Sequence, residues 1–86
     1  MNIAEEAKKI IDGQRQKDYG DMNESFGRIA GLWSSYLGFE IDKFDVAKMM
    51  ILLKVSRAKH NNHRDSYVDI VGYVECIEKL SDVSKN

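Results

Sequence analysis

The sequence contains no proline and only one cysteine, and it has no long apolar run. Because proline is absent, long helices are permitted almost throughout the chain, and only glycine and short polar clusters interrupt them. Cys76 has no partner for an intramolecular disulfide, which indicates a reducing compartment. No segment approaches the roughly 20 apolar residues of a membrane span, and residues 1–6 lack a signal-peptide pattern. We therefore expect a cytoplasmic protein with no membrane partner.

The chain also lacks an excess of either charge. Lysine and arginine number 13 against 14 acidic residues, so no global basic field favours duplex nucleic acid, and we expect none as a partner. A hydrophobic content of 43% is typical of a globular protein. Residues 1–86 make a single domain, and a chain this short has a thin core. We therefore expect it to assemble as a homo-oligomer.

Apolar periodicity and capping residues predict two helices in the first half of the chain. The first covers about residues 2–12 with one apolar stripe and ends at Gly13. Residues 14–21 follow as a loop. The second helix begins near Asn23 as its cap and ends at Gly38, where a left-handed residue is usual.

Two further helices are predicted in the second half, which makes the fold all-α, a compact four-helix bundle-like domain. Asp42 caps the third helix with Asp45 as an imperfect capping box, and a fourth helix covers about residues 64–80. The third helix is apolar around most of its circumference, which places it in the middle of the bundle or at a subunit interface. Gly27 and Gly31 weaken the second helix, which indicates close approach of a neighbouring helix. The expected core includes Trp33 and a stripe of the fourth helix: Tyr67, Ile70, Val71, Val74 and Ile77.

Charged and polar side chains crowd the predicted turn between the third and fourth helices. Arginine offers a planar fork suited to phosphate, and lysine adds a point charge, so the bases form an anion-binding corner. The acids could accept hydrogen bonds from a sugar or base, hold a divalent cation, or pair with Lys54 and Arg57. The dipoles of the two helices explain part of this crowding, but not Asp69, which lies beyond the first turn and should be partnered. The candidate ligand-binding residues here are Lys54, Arg57, His60, His63, Arg64, Asp65, Asp69 and Tyr73.

No metal or catalytic signature accompanies this corner. His60 and His63 lie in a loop and no second cysteine exists, so we expect no structural zinc. No nucleophile motif or phosphate-cradling glycine loop is present. Tyr19 and Tyr73 remain candidates for stacking on a base.

Over nearly the whole chain the sequence resembles a family of small phage and prophage proteins known only as a domain of unknown function. The resemblance is carried by segments 15–20, 26–33, 45–50 and 65–73. The chain is similar, more distantly, to phage nucleotide-modification-associated domains, which share an Asp-Tyr-Gly, then Lys-x-x-Arg, then Asp-x-x-x-Asp-x-x-x-Tyr order. These resemblances imply phage nucleotide metabolism or interference with host defence, in the cytoplasm of an infected or lysogenic bacterium. Arg15 and Tyr19, from the first segment, complete the candidate ligand-binding residues.

A third likeness is to the MazG-type all-α nucleoside triphosphate pyrophosphohydrolases, whose magnesium is held by paired acids on two facing helices. Here Lys54 and Arg57 stand where acids would be required, and Ser66 with Asp69 replaces the second pair. Asp65 and Asp69 would supply little of a magnesium cage. This departure favours phosphate binding, and we expect no resident cofactor.

We therefore expect a protein that binds a nucleotide or a nucleotide-derived signal, such as a host immune second messenger that a phage would sequester. Two alternatives stay open. One is a metal-dependent nucleotide pyrophosphohydrolase or phosphodiesterase with magnesium on Asp65 and Asp69. The other is a protein-interaction module that inhibits a host factor through the second and third helices.

Overall fold

A computed structural model describes residues 1–13, 21–60 and 63–84, and this part of the chain contains four α-helices and no strand. The predicted all-α fold is therefore confirmed. Residues 14–20 of the predicted loop lie outside the described residues. The helices are α1 (Ile3–Asp12), α2 (Met22–Leu37), α3 (Lys43–His60) and α4 (Arg64–Ser84).

Helix α1 begins and ends as its sequence predicts. The side chain of Asn2 accepts a hydrogen bond from the backbone N–H of Glu5 at 2.8 Å, which satisfies one of the free donors of the first turn. Gly13 follows the last helical residue, and its N–H donates to the carbonyl of Lys9 at 3.0 Å.

Helix α2 is capped two residues earlier than predicted. Asp21, not Asn23, is the N-cap, and its carboxylate accepts from the N–H groups of Asn23 and Glu24 at 2.7 and 3.3 Å. The amide oxygen of Asn23 instead accepts a hydrogen bond from Lys43 at 2.8 Å, which ties α2 to the start of α3. Gly38 ends α2 in the left-handed conformation, with φ of 81°.

The turn into α3 is fixed by two reciprocal pairs of hydrogen bonds. Asp42 and Asp45 form the predicted capping box, each backbone N–H donating to the other residue's carboxylate at 2.9 Å. Ser34, near the end of α2, forms the other pair with Ile41. Its hydroxyl donates to the carbonyl of Ile41 at 3.1 Å and accepts from the Ile41 N–H at 2.9 Å. The Ser34 side chain therefore holds the link between α2 and α3.

The central helix is α4 and not α3. Helix α4 packs along both α3 and α1, whereas α2 packs mainly on α3. The outer side of α3 is exposed, with Leu52 66% and Val55 50% accessible. Of the two predicted positions of α3, the middle of the bundle is therefore wrong, and the subunit interface stays a prediction. The apolar residues of α3 outnumber those that the thin core can cover.

The buried side of α4 is not the predicted stripe but the one that contains Gly72, Tyr73 and Cys76. Tyr73 and Cys76 are buried, whereas Tyr67 and Val74 from the predicted core stripe are 37% and 53% exposed. Trp33, also predicted to lie in the core, is half-buried. The core forms where α1, α2, α3 and α4 meet, from Ile11, Tyr73 and Cys76 packed against Met22, Phe26, Met50 and Ile51.

The glycines of α2 do not serve close helix packing. Gly27 and Gly31 are exposed, and a Cβ added at either position would have no atom within 4 Å. The predicted approach of a neighbouring helix at these positions is therefore wrong. In the part of the chain that the structure describes, no helix is long and apolar enough to cross a membrane.

Candidate functional site

An open cavity of about 490 Å³ lies between the end of α3 and the start of α4. Its volume falls within the range of about 300 to 1,000 Å³ that is typical of small-molecule sites. Six of the residues that the sequence proposed as ligand contacts line it, together with Ser66. The lining residues are Lys54, Arg57, His60, His63, Asp65, Ser66 and Asp69.

The helical hairpin explains why these residues meet. Lys54 and Arg57 are three residues apart and therefore share one side of α3. Asp65 and Asp69 are four residues apart on α4 and likewise share a side. Because α3 and α4 pack along each other and are separated by only three residues in the sequence, the end of one helix lies beside the start of the other. Spacing in the sequence therefore places bases and acids around one opening.

An ion pair closes the inner part of the cavity. Lys54 Nζ lies 2.9 Å from Asp69 Oδ2, and the two side chains are only 14% and 23% exposed. Asp69 is thus partnered, as its position beyond the first turn predicted. The pair neutralises two charges that would otherwise be costly to keep half-buried.

His63 and Ser66 form the rim at the start of α4. His63 Nδ1 lies 3.5 Å from Ser66 Oγ, and His63 Nε2 lies 3.9 Å from Asp65 Oδ2. The backbone N–H of Ser66 donates to the carbonyl of His63 at 3.0 Å. Ser66 is only 4% exposed, and sequence reasoning missed it as a lining residue. The available signal was its place in the first turn of α4, three residues after His63, which puts the serine beside the rim residues.

Arg57 is the cationic side chain that the cavity leaves open. It is exposed, and among the ion pairs between described residues none involves it. His60, one turn further along α3, is exposed as well. Because Lys54 is paired with Asp69, Arg57 is the lining residue whose positive charge is available to bind an anion. The first turn of α4 adds the partial positive charge of a helix N-terminus at the rim.

Arg64 does not join this group. Its guanidinium turns to α1, where Nη1 forms an ion pair with Glu6 Oε2 and Nη2 donates to the carbonyl of Met1 at 3.2 Å. In the first turn of α4, one side faces the cavity and another faces α1. Arg64 lies on the side that faces α1. The expectation that Arg64 contributes to the anion-binding corner is therefore corrected.

Tyr73 is also absent from the cavity lining. It is 8% exposed and packs in the core, where its ring centroid lies 6.4 Å from that of Phe26. The expected stacking of Tyr73 on a ligand base is therefore corrected to a packing role. Arg15 and Tyr19 lie outside the described residues, and their predicted roles stay predictions.

Possible metal ligands are dispersed in the described ranges. No group of three or more histidine, cysteine, aspartate or glutamate side chains there is arranged to hold a metal ion. Cys76 is 2% exposed within the core. The cavity's chemistry is therefore that of hydrogen-bond donors, two carboxylates and one open guanidinium.

Comparison with known proteins places the chain in a family. Residues 2–81 match the domain of unknown function DUF6378, and the chain belongs to this family. It is 48% identical over 80 residues to the Gene 55 protein of Mycobacterium phage D29, covering 92% of this chain and 53% of that protein. It is 50% identical over 82 residues to the Gene 55 protein of Mycobacterium phage L5, covering 93% and 53%.

The chain thus spans about half the length of the curated relatives it matches. No solved structure matches the chain. The predicted membership of a phage family of unknown function is confirmed by these relatives.

Proposed function

We propose that this DUF6378 protein binds a phosphate-bearing small molecule, a nucleotide or a nucleotide-derived signal, in the cavity between α3 and α4. The observation that carries the proposal is the position of Arg57, which is exposed at the opening and has no ion-pair partner among the described residues. A guanidinium binds phosphate oxygens through two parallel hydrogen bonds, so it suits such a ligand better than a point charge does.

The rest of the lining can complete the recognition of a phosphate. His60 and His63 flank the opening and supply ring nitrogens that donate hydrogen bonds when protonated. The α4 N-terminus lies on the same rim, and its dipole favours an anion. Arg57 therefore has neighbours that can share the negative charge of one phosphate group.

The Lys54–Asp69 pair supplies the polar contacts that a sugar or base requires. The Asp69 carboxylate lines the cavity beside Lys54, and carboxylates accept hydrogen bonds from ribose hydroxyls and exocyclic amines. A ligand with phosphate at one end and hydroxyl or amine groups at the other would meet Arg57 at the opening and Asp69 further inside. A nucleotide has this arrangement.

Two mycobacteriophage relatives are consistent with a role during infection. Binding without turnover would withdraw a nucleotide signal of the host from its receptor. No observation on the described residues favours metal-dependent hydrolysis, since Asp69 is paired with Lys54 and no cluster of three ligands accompanies Asp65.

Titration calorimetry with a panel of linear and cyclic nucleotides tests the proposal. We expect heat with at least one member of the panel and a loss of about 10- to 100-fold in affinity for Arg57→Ala, because a charge-assisted contact contributes roughly 1.5–3 kcal/mol. Arg64→Ala is the matched control, since this arginine lies seven residues away but pairs with Glu6 outside the cavity. Absence of heat with every nucleotide on folded protein, or equal losses for both variants, would refute the proposal.

A further inference from the structure

Exposed apolar side chains lie on the side of α3 that faces away from the cavity, together with the exposed polar residues Lys48 and Ser56. Met49, Leu52 and Val55 are 40%, 66% and 50% exposed. At about 100° per residue, Lys54 and Arg57 lie roughly 160° and 140° around the helix from Leu52. One side of α3 therefore lines the cavity, and the opposite side exposes apolar side chains to solvent.

Opposite charges border this exterior side at equal distances from its centre. Asp45 precedes Leu52 by seven residues and Lys59 follows it by seven. Seven residues return a helix to within about 20° of the same line, so the three side chains share one line along α3. We call Asp45, Met49, Leu52, Val55 and Lys59 the outer face.

We propose that the outer face binds a second copy of the chain, with the two α3 helices antiparallel across a two-fold axis at Leu52. Each contact then occurs twice, as in any two-fold interface. Leu52 packs on Leu52 of the second copy, Met49 and Val55 extend the apolar contact to its two sides, and Asp45 pairs with Lys59.

The charge pattern selects a second copy as the occupant. In the antiparallel arrangement Asp45 of each helix meets Lys59 of the other, and both pairs form at once. A parallel arrangement would place acid opposite acid and base opposite base. From Asp45 to Lys59 the helix rises about 21 Å, so the two ion pairs border the apolar contact on both sides and set its register.

This interface is independent of the ligand site. Because Arg57 lies on the opposite side of α3, both cavities of such a dimer face away from the axis and stay open. Substitutions on the outer face should therefore leave nucleotide binding unchanged, and failure of one proposal leaves the other standing.

Sedimentation equilibrium of the full chain from micromolar to millimolar concentration is the first test. We expect a concentration-dependent dimer whose dissociation constant rises about a hundredfold in Leu52→Glu, because two leucines lose their burial at roughly tenfold each. Leu32→Glu is the matched control, since Leu32 is 65% exposed on α2 and its replacement removes the same apolar surface elsewhere. A wild-type chain that stays monomeric, or equal effects of the two variants, would overturn the proposal.

A charge exchange tests the antiparallel register. Asp45→Lys and Lys59→Glu should each weaken the dimer several-fold, because like charges then face each other at both ends. Mixing the two variants in equal amounts should restore association, since every acid again faces a base in the mixed dimer. Circular dichroism of each variant checks that α3 persists despite the altered cap at Asp45. A mixture that associates no better than either variant alone would contradict the proposed register.

Discussion

Lys54 and Asp69 join the two helices that form the cavity, with Nζ and Oδ2 2.9 Å apart and both side chains largely shielded from water. Asp69 also borders the contact between α1 and α4, beside Ile11 and Gly72. The pair therefore connects the cavity to the packing of the central helix.

Removing one member of the pair should destabilise the fold more than removing both. We expect Lys54→Met and Asp69→Leu each to lower the free energy of unfolding by about 1–3 kcal/mol, because the remaining group keeps its cost of desolvation. The double variant Lys54→Met/Asp69→Leu should recover a substantial part of that loss. Urea denaturation of the four proteins measures the coupling, and strictly additive effects would show that the two residues act separately.

Alanine at the exposed glycines of α2 should stabilise the protein. Gly27 and Gly31 lie inside a helix, and a Cβ at either position meets no atom within 4 Å. We expect Gly27→Ala and Gly31→Ala to raise the free energy of unfolding by up to about 1 kcal/mol each. Gly38→Ala is the contrasting variant and should destabilise by about 1 kcal/mol, because φ is 81° there. Thermal melts of the three variants would show opposite signs, and a common sign would contradict the helix assignment at α2.

Asp21 should contribute more to α2 than the other acid at its start. Asp21→Ala removes the side chain that accepts from two backbone N–H groups, and we expect a loss of about 1 kcal/mol. Glu24→Ala alters only a favourable charge near the dipole and should cost about 0.3 kcal/mol. Chemical denaturation at low and high salt separates the two effects, since the cap should persist at high salt. Equal losses for both variants would argue against the cap at Asp21.

Cys76 should be unreactive in the folded protein. Its side chain is 2% exposed within the core, so a thiol reagent reaches it only when the fold opens. We expect labelling of native protein to be slow and to become rapid in denaturant, with one thiol per chain. Rapid labelling of native protein would show that the α4 core opens easily.

The sequence predicts the cavity better than the core. Regular spacing along two helices was enough to bring Lys54, Arg57, Asp65 and Asp69 together, because the two helices are separated by only three residues in the sequence and pack along each other. Arg64 escaped this reasoning, since its partner Glu6 is 58 positions away and no local pattern indicates the pair. Contacts between distant helices are set by packing, which spacing alone does not reveal.

The choice of buried stripe on α4 shows the same limit. Tyr67 and Val74 look like better core residues than Asp69 and Gly72, yet α4 buries the stripe that contains the latter two. The reason is that Ile11 of α1 packs on this side of α4, 3.7 Å from where a Cβ on Gly72 would lie, and forms the core with Tyr73 and Cys76. Hydrophobicity alone favours burial of the side with Tyr67 and Val74, whereas packing against α1 buries the side with Gly72.

The reciprocal hydrogen bonds between Ser34 and Ile41 have a consequence for chain length. They close a ring of backbone around residues 35–40, so one inserted residue in that link would break both bonds and move the start of α3 relative to α2. Since α3 carries Arg57 near its other end, the position of the cavity relative to α2 depends on the length of this link. A serine hydroxyl on α2 therefore fixes where α3, and the cavity that it lines, begins relative to α2.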